Sequence, residues 1–511
     1  YGITASTDNL KLVWQDNRTK DIKTFNKGKT DGIMDSIKGK DGEVIDINKV
    51  DKKSFSPKLY DLTELQRDAN RIFGYSAKET LSIMQSLYER HKILTYPRTD
   101  SRYLSSDIVE TLEDRVKACN IGPYRKIASK LLKNPIRGNK SFVDNRKVSD
   151  HHAIIPTEER VLLSELNDKE RKIYDLVVKR FLAVLYPPFE YEQTTVKVKI
   201  GDENFVAKGK RIIKLGWKEV YANDYEDDEE IFEQKLPAIN KGDTLKISSI
   251  RETIGKTKPP APFNEGTLLS AMENPRKYMA GESKDLIKII GETGGIGTVA
   301  TRADIIDKLF NTFLIEKKGQ DIFITSKGRQ LLDLVPEDLK SPALTAEWEQ
   351  KLNAIANGRL NRNTFINEMK EYSKAIVKEI KNSEEVFRHD NLTRNKCPEC
   401  GKYMLEVKGK KGKMYVCQDR ECGHRENISK VTNARCPNCH KRLELRGQGE
   451  GKTFTCTCGY REKLSSFNKR REKEKGGASK KDVARYMKEQ NKGENELINT
   501  DLADALSKLK L

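Results

Sequence analysis

The sequence is short of apolar residues and contains no long hydrophobic run. Hydrophobic residues make up 36% and aromatic residues 7% of its 511 residues. No apolar stretch approaches the roughly 20 residues that span a membrane, and the first residues show no signal-peptide pattern. Cysteine is almost absent from the first 390 residues, where Cys119 stands alone and is predicted to be a small core residue. These absences argue against a membrane protein.

Charged residues are abundant, and the basic ones are in excess. The chain has 96 Lys and Arg against 77 Asp and Glu, a net charge of +19, with charge spread along its whole length. A basic excess indicates a polyanionic partner, although a ribosomal or membrane-surface protein has the same balance. The length corresponds to three or four domains.

Strand patterns and helix patterns alternate along the chain. Residues 1–56 alternate apolar and polar positions between Gly- and Asp-rich turns, which predicts β-structure. The pattern is helical from Leu62 to about residue 183, returns to strands up to about 254, and is helical again up to about 388.

One helix is predicted in more detail. Ser76 and Glu79 form a capping box at its start. A stripe at spacings of three and four follows and predicts a core-facing side, made of Leu81, Met84, Leu87 and Tyr88. The helix ends at a loop that carries Tyr96 and would aim this side chain.

The run Leu94–Ser101, LTYPRTDS, contains the strongest chemical signal. It places Tyr96 two residues before Arg98, and Pro97 stiffens the backbone between them. A phenol ionises near pH ~10, and a fixed guanidinium favours the phenolate and clamps a phosphate. A tyrosine that attacks phosphorus stores the phosphodiester bond energy in a covalent bond that can be resealed. A buried aromatic beside a surface arginine is the alternative interpretation of so short a motif.

Four ordered blocks carry a family resemblance: Pro57–Ser101, which ends in LTYPRTDS, Ser149–Thr157 (SDHHAIIPT), Gly295–Leu309 (GIGTVATRADIIDKL) and Leu344–Leu352 (LTAEWEQKL). Together they resemble type IA DNA topoisomerases. The doubled histidine and the C-terminal part are more similar to the topoisomerase III branch than to topoisomerase I. The resemblance implies a multi-domain α+β fold with a toroidal core, in which a helical active-site domain is inserted into a β domain.

The resemblance also implies domain boundaries. The inserted helical domain would swing away from the rest as a gate. In chain order, the implied parts are a β-rich gate or hinge domain (1–56 plus 184–254), the helical domain with the active-site tyrosine (57–183), a helical base domain (255–388) in which FITSKGRQLLDLVP forms a wing-like turn and helix, two zinc ribbons (395–428 and 434–464), and a basic flexible tail (465–511).

Individual roles follow from the same resemblance. Tyr96 is the expected nucleophile and becomes joined to the 5′ phosphate of a cleaved DNA strand, while Arg98 stabilises the transition state and His151 hydrogen-bonds the scissile phosphate. A second strand passes through the gap before religation, without ATP, which relaxes or decatenates DNA. The alternative interpretation is that His151 has only a structural role and does not contact the phosphate. Further DNA contacts are expected from Asp100, Ser101, His152, Thr301 and Arg302.

The resemblance also implies Mg²⁺, for which we find no site in this sequence. Family members carry an N-terminal Toprim domain whose acidic residues hold the ion. The chain starts at Tyr1 within strand-like sequence, and its acidic cluster, Asp224–Glu230, is interpreted as a solvated loop. We therefore expect an incomplete fragment or a partial sequence, which is poorly active until the Toprim domain is restored.

Eight cysteines near the C-terminus form an internal repeat. In each unit a Cys-Pro-x-Cys pair is followed by sixteen residues and a third cysteine. This spacing suits tetrahedral Zn²⁺ in a ribbon, and disulfides are disfavoured inside a cell. The predicted zinc ligands are Cys397, Cys400, Cys417 and Cys422 in the first unit and Cys436, Cys439, Cys456 and Cys458 in the second. His424 aligns with Tyr460 of the repeat and is predicted to be a surface residue.

The ribbons are predicted to be binding modules, because four cysteines leave zinc no open position for catalysis. Aromatic residues interleave with basic ones and would either stack on bases or cover the small ribbon cores: Tyr403, Tyr415, Phe454 and Tyr460. The tail opens with the basic run NKRREKEK, expected to be disordered. It closes with DLADALSKLKL, an amphipathic helix that would dock on this protein or on a protein partner.

The expected partner is DNA, especially single-stranded DNA, and we expect a monomer in the cytoplasm, associated with the nucleoid. Two other classes compete with this interpretation. A tyrosine recombinase also uses Tyr, Arg and His on phosphate, but its tyrosine follows the other catalytic residues, whereas Tyr96 precedes Arg98 and His151. A non-catalytic zinc-ribbon protein that binds single-stranded nucleic acid is the second alternative.

Overall fold

The computed structural model describes residues 1–221, 233–234, 236–383, 389–409, 412–419, 421–447 and 449–474. The chain forms two compact units, Tyr1–Glu384 and Glu385–Leu511. The acidic cluster Asp224–Glu230 and the C-terminal DLADALSKLKL lie outside the described residues. Among the described residues, no helix combines the length and the apolar character needed to cross a membrane.

An eight-stranded sheet joins the two strand-rich parts of the first unit. Its order is β7-β3-β4-β5-β2-β1-β8, with β6 beside β5. All pairs are antiparallel except β5 with β6. The chain leaves the sheet after β3 and returns at β4, so the helical segment between them is an insertion. The strands are β1 (Gly2–Ser6), β2 (Lys11–Gln15), β3 (Gly42–Ser54), β4 (Phe189–Ile200), β5 (Glu203–Lys214), β6 (Glu233–Gln234), β7 (Thr244–Leu245) and β8 (Ser249–Thr253).

Helix α1 (Lys27–Ile37) lies in a segment for which the sequence predicted only β-structure, so that prediction was wrong. Asn26 caps the helix by accepting a hydrogen bond from the Lys29 backbone N–H at 3.1 Å. Ile33 and Ile37 are buried in the core of the sheet. Tertiary packing therefore stabilises a helix whose two glycines lower its intrinsic propensity and hide its pattern.

The inserted segment forms a helical unit with the largest core of the molecule. Cys119 is buried in this core, as predicted, and burial raises the pKa of its thiol to about 12. A π turn (Ser86–Arg90) and three 3₁₀ turns (Ser106–Thr111, Gly122–Tyr124 and Asn145–Lys147) link or extend the helices. The helices are α2 (Leu62–Phe73), α3 (Ala77–Gln85), α4 (Leu112–Ala118), α5 (Arg125–Leu131) and α6 (Asp168–Leu185).

A second helical region packs against the first through buried polar groups. Glu265 is 3% exposed and accepts a hydrogen bond from the Ala77 backbone N–H at 2.8 Å. Asn70 accepts one from the Gly266 backbone N–H at 3.1 Å. The β9–β10 hairpin and α10 form the expected wing-like turn and helix. The elements are α7 (Glu265–Glu273), α8 (Lys284–Glu292), α9 (Arg302–Asn311), β9 (Ile315–Lys318), β10 (Asp321–Ile324), α10 (Ser326–Leu334), α11 (Ala343–Ala356) and α12 (Arg362–Asn382), with 3₁₀ turns at Gly216–Tyr221, Pro275–Tyr278 and Glu337–Lys340.

The second unit contains two four-stranded antiparallel sheets in simple meander order. The final helix, α13, covers the second sheet, where Phe467 packs on Phe454 with ring centroids 4.5 Å apart. The basic run NKRREKEK was expected to be disordered, but α13 includes it up to Glu474 because Phe467 anchors the helix. The elements are β11 (Leu392–Lys396), β12 (Tyr403–Gly409), β13 (Gly412–Cys417), β14 (Arg425–Asn427), β15 (Ser429–Arg435), β16 (Arg442–Arg446), β17 (Thr453–Thr455), β18 (Arg461–Lys463) and α13 (Leu464–Glu474), with a 3₁₀ turn at Gly449–Gly451.

Candidate active site

Helix α3 begins at the predicted cap, but half of the capping box is missing. The Ser76 hydroxyl accepts a hydrogen bond from the Glu79 backbone N–H at 3.0 Å. The Glu79 carboxylate pairs with Lys169 on α6 instead of returning to the Ser76 backbone. The helix start therefore gains a tertiary ion pair in place of the second local hydrogen bond.

A π turn at the end of α3 changes the face that the chain presents. The backbone N–H of His91 bonds the carbonyl of Ser86, five residues earlier, at 3.1 Å. Leu87 is still fully buried, but Tyr88 is 37% exposed. The prediction that Tyr88 belongs to the core stripe was wrong, because the extra residue in the turn rotates it out of register. The predicted burial of Leu81 and Met84 is confirmed.

The π turn is anchored to helix α6 by Glu170. Its carboxylate accepts a hydrogen bond from the Ser86 hydroxyl at 2.7 Å and lies 3.5 Å from His91 Nε2. Glu170 also completes the capping box of α6 with Asn167. One buried carboxylate thus ties the turn before the tyrosine loop to α6, the longest helix of the inserted segment.

The tyrosine loop is held against the SDHHAIIPT block. The backbone N–H of Thr95 bonds the carbonyl of Ile155 at 3.0 Å, and the Thr99 hydroxyl bonds the carbonyl of His151 at 3.0 Å. The backbone N–H of Leu62, at the start of α2, bonds the Thr99 carbonyl at 3.1 Å. Two blocks far apart in sequence therefore fix the position of the loop together.

Tyr96 is in contact with two aromatic rings. The ring centroids of Tyr96 and His151 lie 4.2 Å apart with planes inclined at 36°. Tyr88 meets Tyr96 edge-on, with centroids 5.6 Å apart and an angle of 82°. The phenolic oxygen of Tyr96 makes no hydrogen bond with any described residue. The ring is thus positioned by contacts that leave its oxygen available to a ligand.

A cleft of about 380 Å³ opens beside Tyr96 and is lined by both histidines of the block. His152 Nδ1 lies 2.8 Å from the carbonyl of Ala153, and burial lowers the pKa of this imidazole. Arg98 is half-buried and makes no hydrogen bond or ion pair with any described residue. The cleft therefore contains a histidine with a lowered pKa, and Arg98, two residues after Tyr96 but not among the lining residues, has no partner among the described residues.

Asp100 and Ser101, both expected to contact DNA, have different environments. Asp100 is exposed at the surface near Ser149. Ser101 is 5% exposed, and its hydroxyl donates to the carbonyls of Lys147 at 2.8 Å and Tyr103 at 3.2 Å. The Ser101 hydroxyl is therefore buried and used to shape the loop, and the expected DNA contact of Ser101 stays a prediction.

The GTVATRA block was expected to contact the DNA backbone, whereas the side chain of Arg302 makes its hydrogen bonds inside the protein. Arg302 is 3% exposed, and its guanidinium bonds the Thr63 hydroxyl at 3.1 Å and the carbonyls of Ile296, Gly294 and Gly297. With its donors used inside the protein, Arg302 braces the loop before α9 against α2. Thr301 lies at the exposed start of α9, where its hydroxyl accepts a hydrogen bond from the Thr298 backbone N–H at 2.9 Å.

Sequence reasoning missed a buried ion pair next to the tyrosine loop. Asp61 is 2% exposed, caps α2 by accepting from the Glu64 backbone N–H at 2.6 Å, and pairs with Arg102 Nε at 2.5 Å. Burial raises the pKa of Asp61 to about 6, against the opposing effect of Arg102. The only signal in the sequence was the Asp-Leu-Thr-Glu start of the helix, which resembles a cap.

The eight cysteines that were predicted to bind zinc form two clusters of four, and within each cluster all sulfurs lie within 4.8 Å of one another. The nearest Sγ pairs are 3.7 and 3.3 Å apart in the first cluster and 3.5 and 3.3 Å apart in the second. Sulfurs at about 2.3 Å from a tetrahedral Zn²⁺ lie about 3.8 Å from one another. Both donor sets therefore suit zinc, and His424 is outside them, paired with Glu399 at 3.1 Å.

The ribbon aromatics divide between the two roles left open by the sequence. Phe454 is 4% exposed and belongs to the core of the second ribbon. The hydroxyl of Tyr460 donates to Glu462 at 2.6 Å, and Tyr415 packs beside the first cysteine cluster. Tyr403, at 44% exposure, is the most open of the four and the one with a surface available for stacking.

The fold and the site have the features expected of a type IA topoisomerase, because a helical unit inserted into a sheet presents Tyr96 in contact with His151. A solved structure of full-length topoisomerase I from Thermotoga maritima has a similar fold, with a TM-score of 0.55 and 24% identity. The match covers 84% of this chain and 67% of that one.

Comparison with sequence families identifies the family. The family model described as DNA topoisomerase matches residues 1–367. The chain is 65% identical over 515 residues to DNA topoisomerase 3 of Bacillus cereus and 63% identical over 513 residues to that of Bacillus subtilis (strain 168). Each match covers 100% of this chain and 70% of the relative. The chain therefore belongs to the type IA DNA topoisomerases, which are isomerases that act on DNA.

Proposed function

We propose that Tyr96 is the nucleophile of a type IA cleavage reaction on single-stranded DNA. Its phenolic oxygen bonds to phosphorus, the bond from phosphorus to the 3′ oxygen breaks, and the strand stays attached through its 5′ phosphate. The phenol loses a proton and the leaving 3′ oxygen gains one. Because the energy of the phosphodiester is kept in the phosphotyrosine, religation after passage of another strand needs no ATP.

The contact between Tyr96 and His151 carries this proposal. It brings the first two blocks of the family resemblance to one cleft, with the phenol free of hydrogen bonds to the described residues. His151, exposed at the cleft, donates a hydrogen bond to the scissile phosphate. Arg98, which has no carboxylate partner among the described residues, neutralises the charge that develops on phosphorus. Asp100, His152 and Thr301 add contacts to the strand.

Metal ions have two separate places in this proposal. The cysteine clusters hold two structural Zn²⁺ ions and make the ribbons binding modules for the same strand. Mg²⁺ supplies neutralisation of phosphate charge. As the family resemblance implies, Mg²⁺ is held in a Toprim domain, and within the described residues the two cysteine clusters are the groups of three or more His, Cys, Asp or Glu that suit a metal.

The cellular setting is part of the proposal. The enzyme acts as a monomer in the cytoplasm, associated with the nucleoid, where the net charge of +19 favours contact with DNA. The last residues bind a protein partner.

The polarity of the covalent bond tests the reaction. The chain, supplemented with the rest of a Bacillus relative, is incubated with an oligonucleotide labelled at one end and then denatured. A 3′ label that moves with the protein supports a 5′-phosphotyrosine. A 5′ label that moves with the protein supports the recombinase alternative, and no attached label with either oligonucleotide supports a non-catalytic binding protein.

A further inference from the structure

Two lysines, Lys58 and Lys147, lie around Tyr103, which follows Tyr96 by seven residues. We call these three residues the Tyr103 cluster. Lys147 Nζ lies 4.4 Å from the centroid of the Tyr103 ring and 3.3 Å from its hydroxyl oxygen. Lys58 Nζ lies 4.9 Å from the same centroid. Tyr103 is 9% exposed, whereas both lysines are exposed. Two flexible cations thus converge on a tyrosine that is fixed in the core.

The positive charge at this cluster is not compensated within the described residues. Lys58 has no ion pair with any of them. Lys147 pairs with Asp144 at 3.4 Å, and the same carboxylate pairs with Arg146 at 3.4 Å. Two cations therefore share one carboxylate, and Lys58 adds a third positive charge at the same tyrosine. Like charges repel each other, and an anion bound at the cluster would offset the repulsion.

The Tyr103 hydroxyl lies within hydrogen-bonding distance of the Lys147 ammonium group. Hydrogen bonds from Lys58 and, to a smaller extent, from Lys147 lower the pKa of this phenol, against the opposing effect of burial. Because the Lys147 ammonium donates to the phenolic oxygen at 3.3 Å, the proton of the phenol is available to an acceptor on the surface. Lys58, Tyr103 and Lys147 all carry hydrogen-bond donors, and the only carboxylate paired with them among the described residues is Asp144, which also pairs with Arg146. An excess of donors and positive charge suits a phosphate.

The cluster is rigidly connected to the candidate active site. Segments 99–103 and 147–151 lie side by side, joined by the Thr99 hydroxyl to the His151 carbonyl and by the Ser101 hydroxyl to the Lys147 carbonyl. His151 lies four positions after Lys147, a stretch that spans at most about 14 Å. A strand held at the tyrosine can therefore place a nearby backbone phosphate at the cluster.

We propose that Lys58, Tyr103 and Lys147 form a second phosphate site, which binds a DNA backbone phosphate a short distance from the one that is cleaved. This inference rests on the proposed function, because it takes its ligand from the strand held at Tyr96. The contacts are to phosphate oxygens, so they hold the register of the strand without reading its bases.

The salt dependence of binding tests the site. The full chain, with Lys58→Gln and Lys147→Gln singly and together, is titrated with a fluorescent oligothymidylate over a range of salt concentrations. Loss of this one phosphate contact should make the slope of log affinity against log salt shallower by about 0.7 in the double variant, and each single variant should change by less. Lys117→Gln is the matched control, because Lys117 is exposed but paired with Glu113 and Asp114.

An unaltered slope in the double variant would overturn the site, and so would an equal change in the Lys117→Gln control. Covalent capture at Tyr96 under saturating oligonucleotide, with the chain supplemented with the rest of a Bacillus relative, separates this result from the proposed reaction. Capture with an unaltered slope supports the reaction and contradicts the second site. A shallower slope in the double variant without any capture supports the phosphate site and contradicts the reaction.

Discussion

The imidazole of His151 lies against the phenol of Tyr96, with ring centroids 4.2 Å apart and planes inclined at 36°. The histidine is placed by its own backbone, since its carbonyl accepts the Thr99 hydroxyl at 3.0 Å. Thr99 is in turn part of the tyrosine loop. The two groups that would meet the same phosphate are thus coupled through one short hydrogen bond, and a shift of either segment moves both.

Replacing His151 should slow cleavage without preventing DNA binding. Removing a hydrogen-bond donor from a developing oxyanion costs about 10²–10³ in rate, so His151→Ala should lose this much in single-turnover cleavage. His151→Gln retains a donor and should lose less. His152→Ala is the comparison, measured at saturating oligonucleotide so that its proposed contact with the strand does not enter the rate, because Nδ1 of His152 already lies 2.8 Å from a backbone carbonyl. Equal losses at the two positions would contradict the assignment to His151.

Tyr88 should affect the reaction more than the stability of the protein. Its edge-on contact with Tyr96 is worth about 0.5–1.5 kcal/mol, which corresponds to a loss of up to about tenfold in cleavage rate for Tyr88→Leu. The melting temperature should change little, because the side chain is 37% exposed. Tyr88→Phe keeps the ring and should restore the rate. A Phe variant as slow as the Leu variant would show that the ring contact is not what positions Tyr96.

Arg302 should act through stability and not through DNA. Arg302→Met leaves several buried carbonyl acceptors unpaired, at about 1–3 kcal/mol for each such group that stays dry, so unfolding should need clearly less heat or denaturant. The salt slope of oligonucleotide binding should be unchanged. Arg359→Met, at an exposed position, is the control for general loss of positive charge. If Arg302→Met instead made the slope of log affinity against log salt shallower by about 0.7 and left stability unchanged, Arg302 would be a DNA contact.

Asp61 should produce a pH dependence of local stability. Its pKa is about 6 in the folded protein and 3.8 as the reference value, so the folded state binds the proton more tightly. The contribution of Asp61 is then fully present below about pH 4 and is lost as pH rises to about 6, a change of about 3 kcal/mol. Asp61→Asn keeps a capping oxygen but cannot titrate.

Hydrogen exchange of the α2 amides measures this effect. The opening free energy of the wild type relative to Asp61→Asn should fall between about pH 4 and pH 6 and stay constant above that range. A relative free energy that rises with pH would mean that the Arg102 ion pair, and not burial, decides the pKa of Asp61.

Local patterns predicted the parts of the structure that depend on spacing. The two four-cysteine clusters followed from the repeat, because four thiols at those intervals suit one ion. The cap at Ser76 and the burial of Met84 followed from helical periodicity. The pairing of Tyr96 with His151 came from the family resemblance, since nothing in either run shows that residues 55 positions apart touch.

Other features depend on tertiary contacts that no local pattern shows. Tyr88 continued the helical stripe until a π turn, tied to Glu170 on a distant helix, rotated it outward. The expected DNA contact of Arg302 came from the family resemblance of the GTVATRA block. The burial of Arg302 depends on backbone carbonyls that only the folded loop brings together. Helix α1 was missed because its stability comes from packing on the sheet.

The most direct test is to identify the residue that carries DNA. The chain, alone and supplemented with the rest of a Bacillus relative, is mixed with single-stranded oligonucleotide, denatured during the reaction, digested and examined by mass spectrometry, with Tyr96→Phe as the control. We predict a nucleotide attached to the peptide containing Tyr96 and none in the control. Nucleotide found on another residue, or on none in the supplemented reaction, would contradict the account.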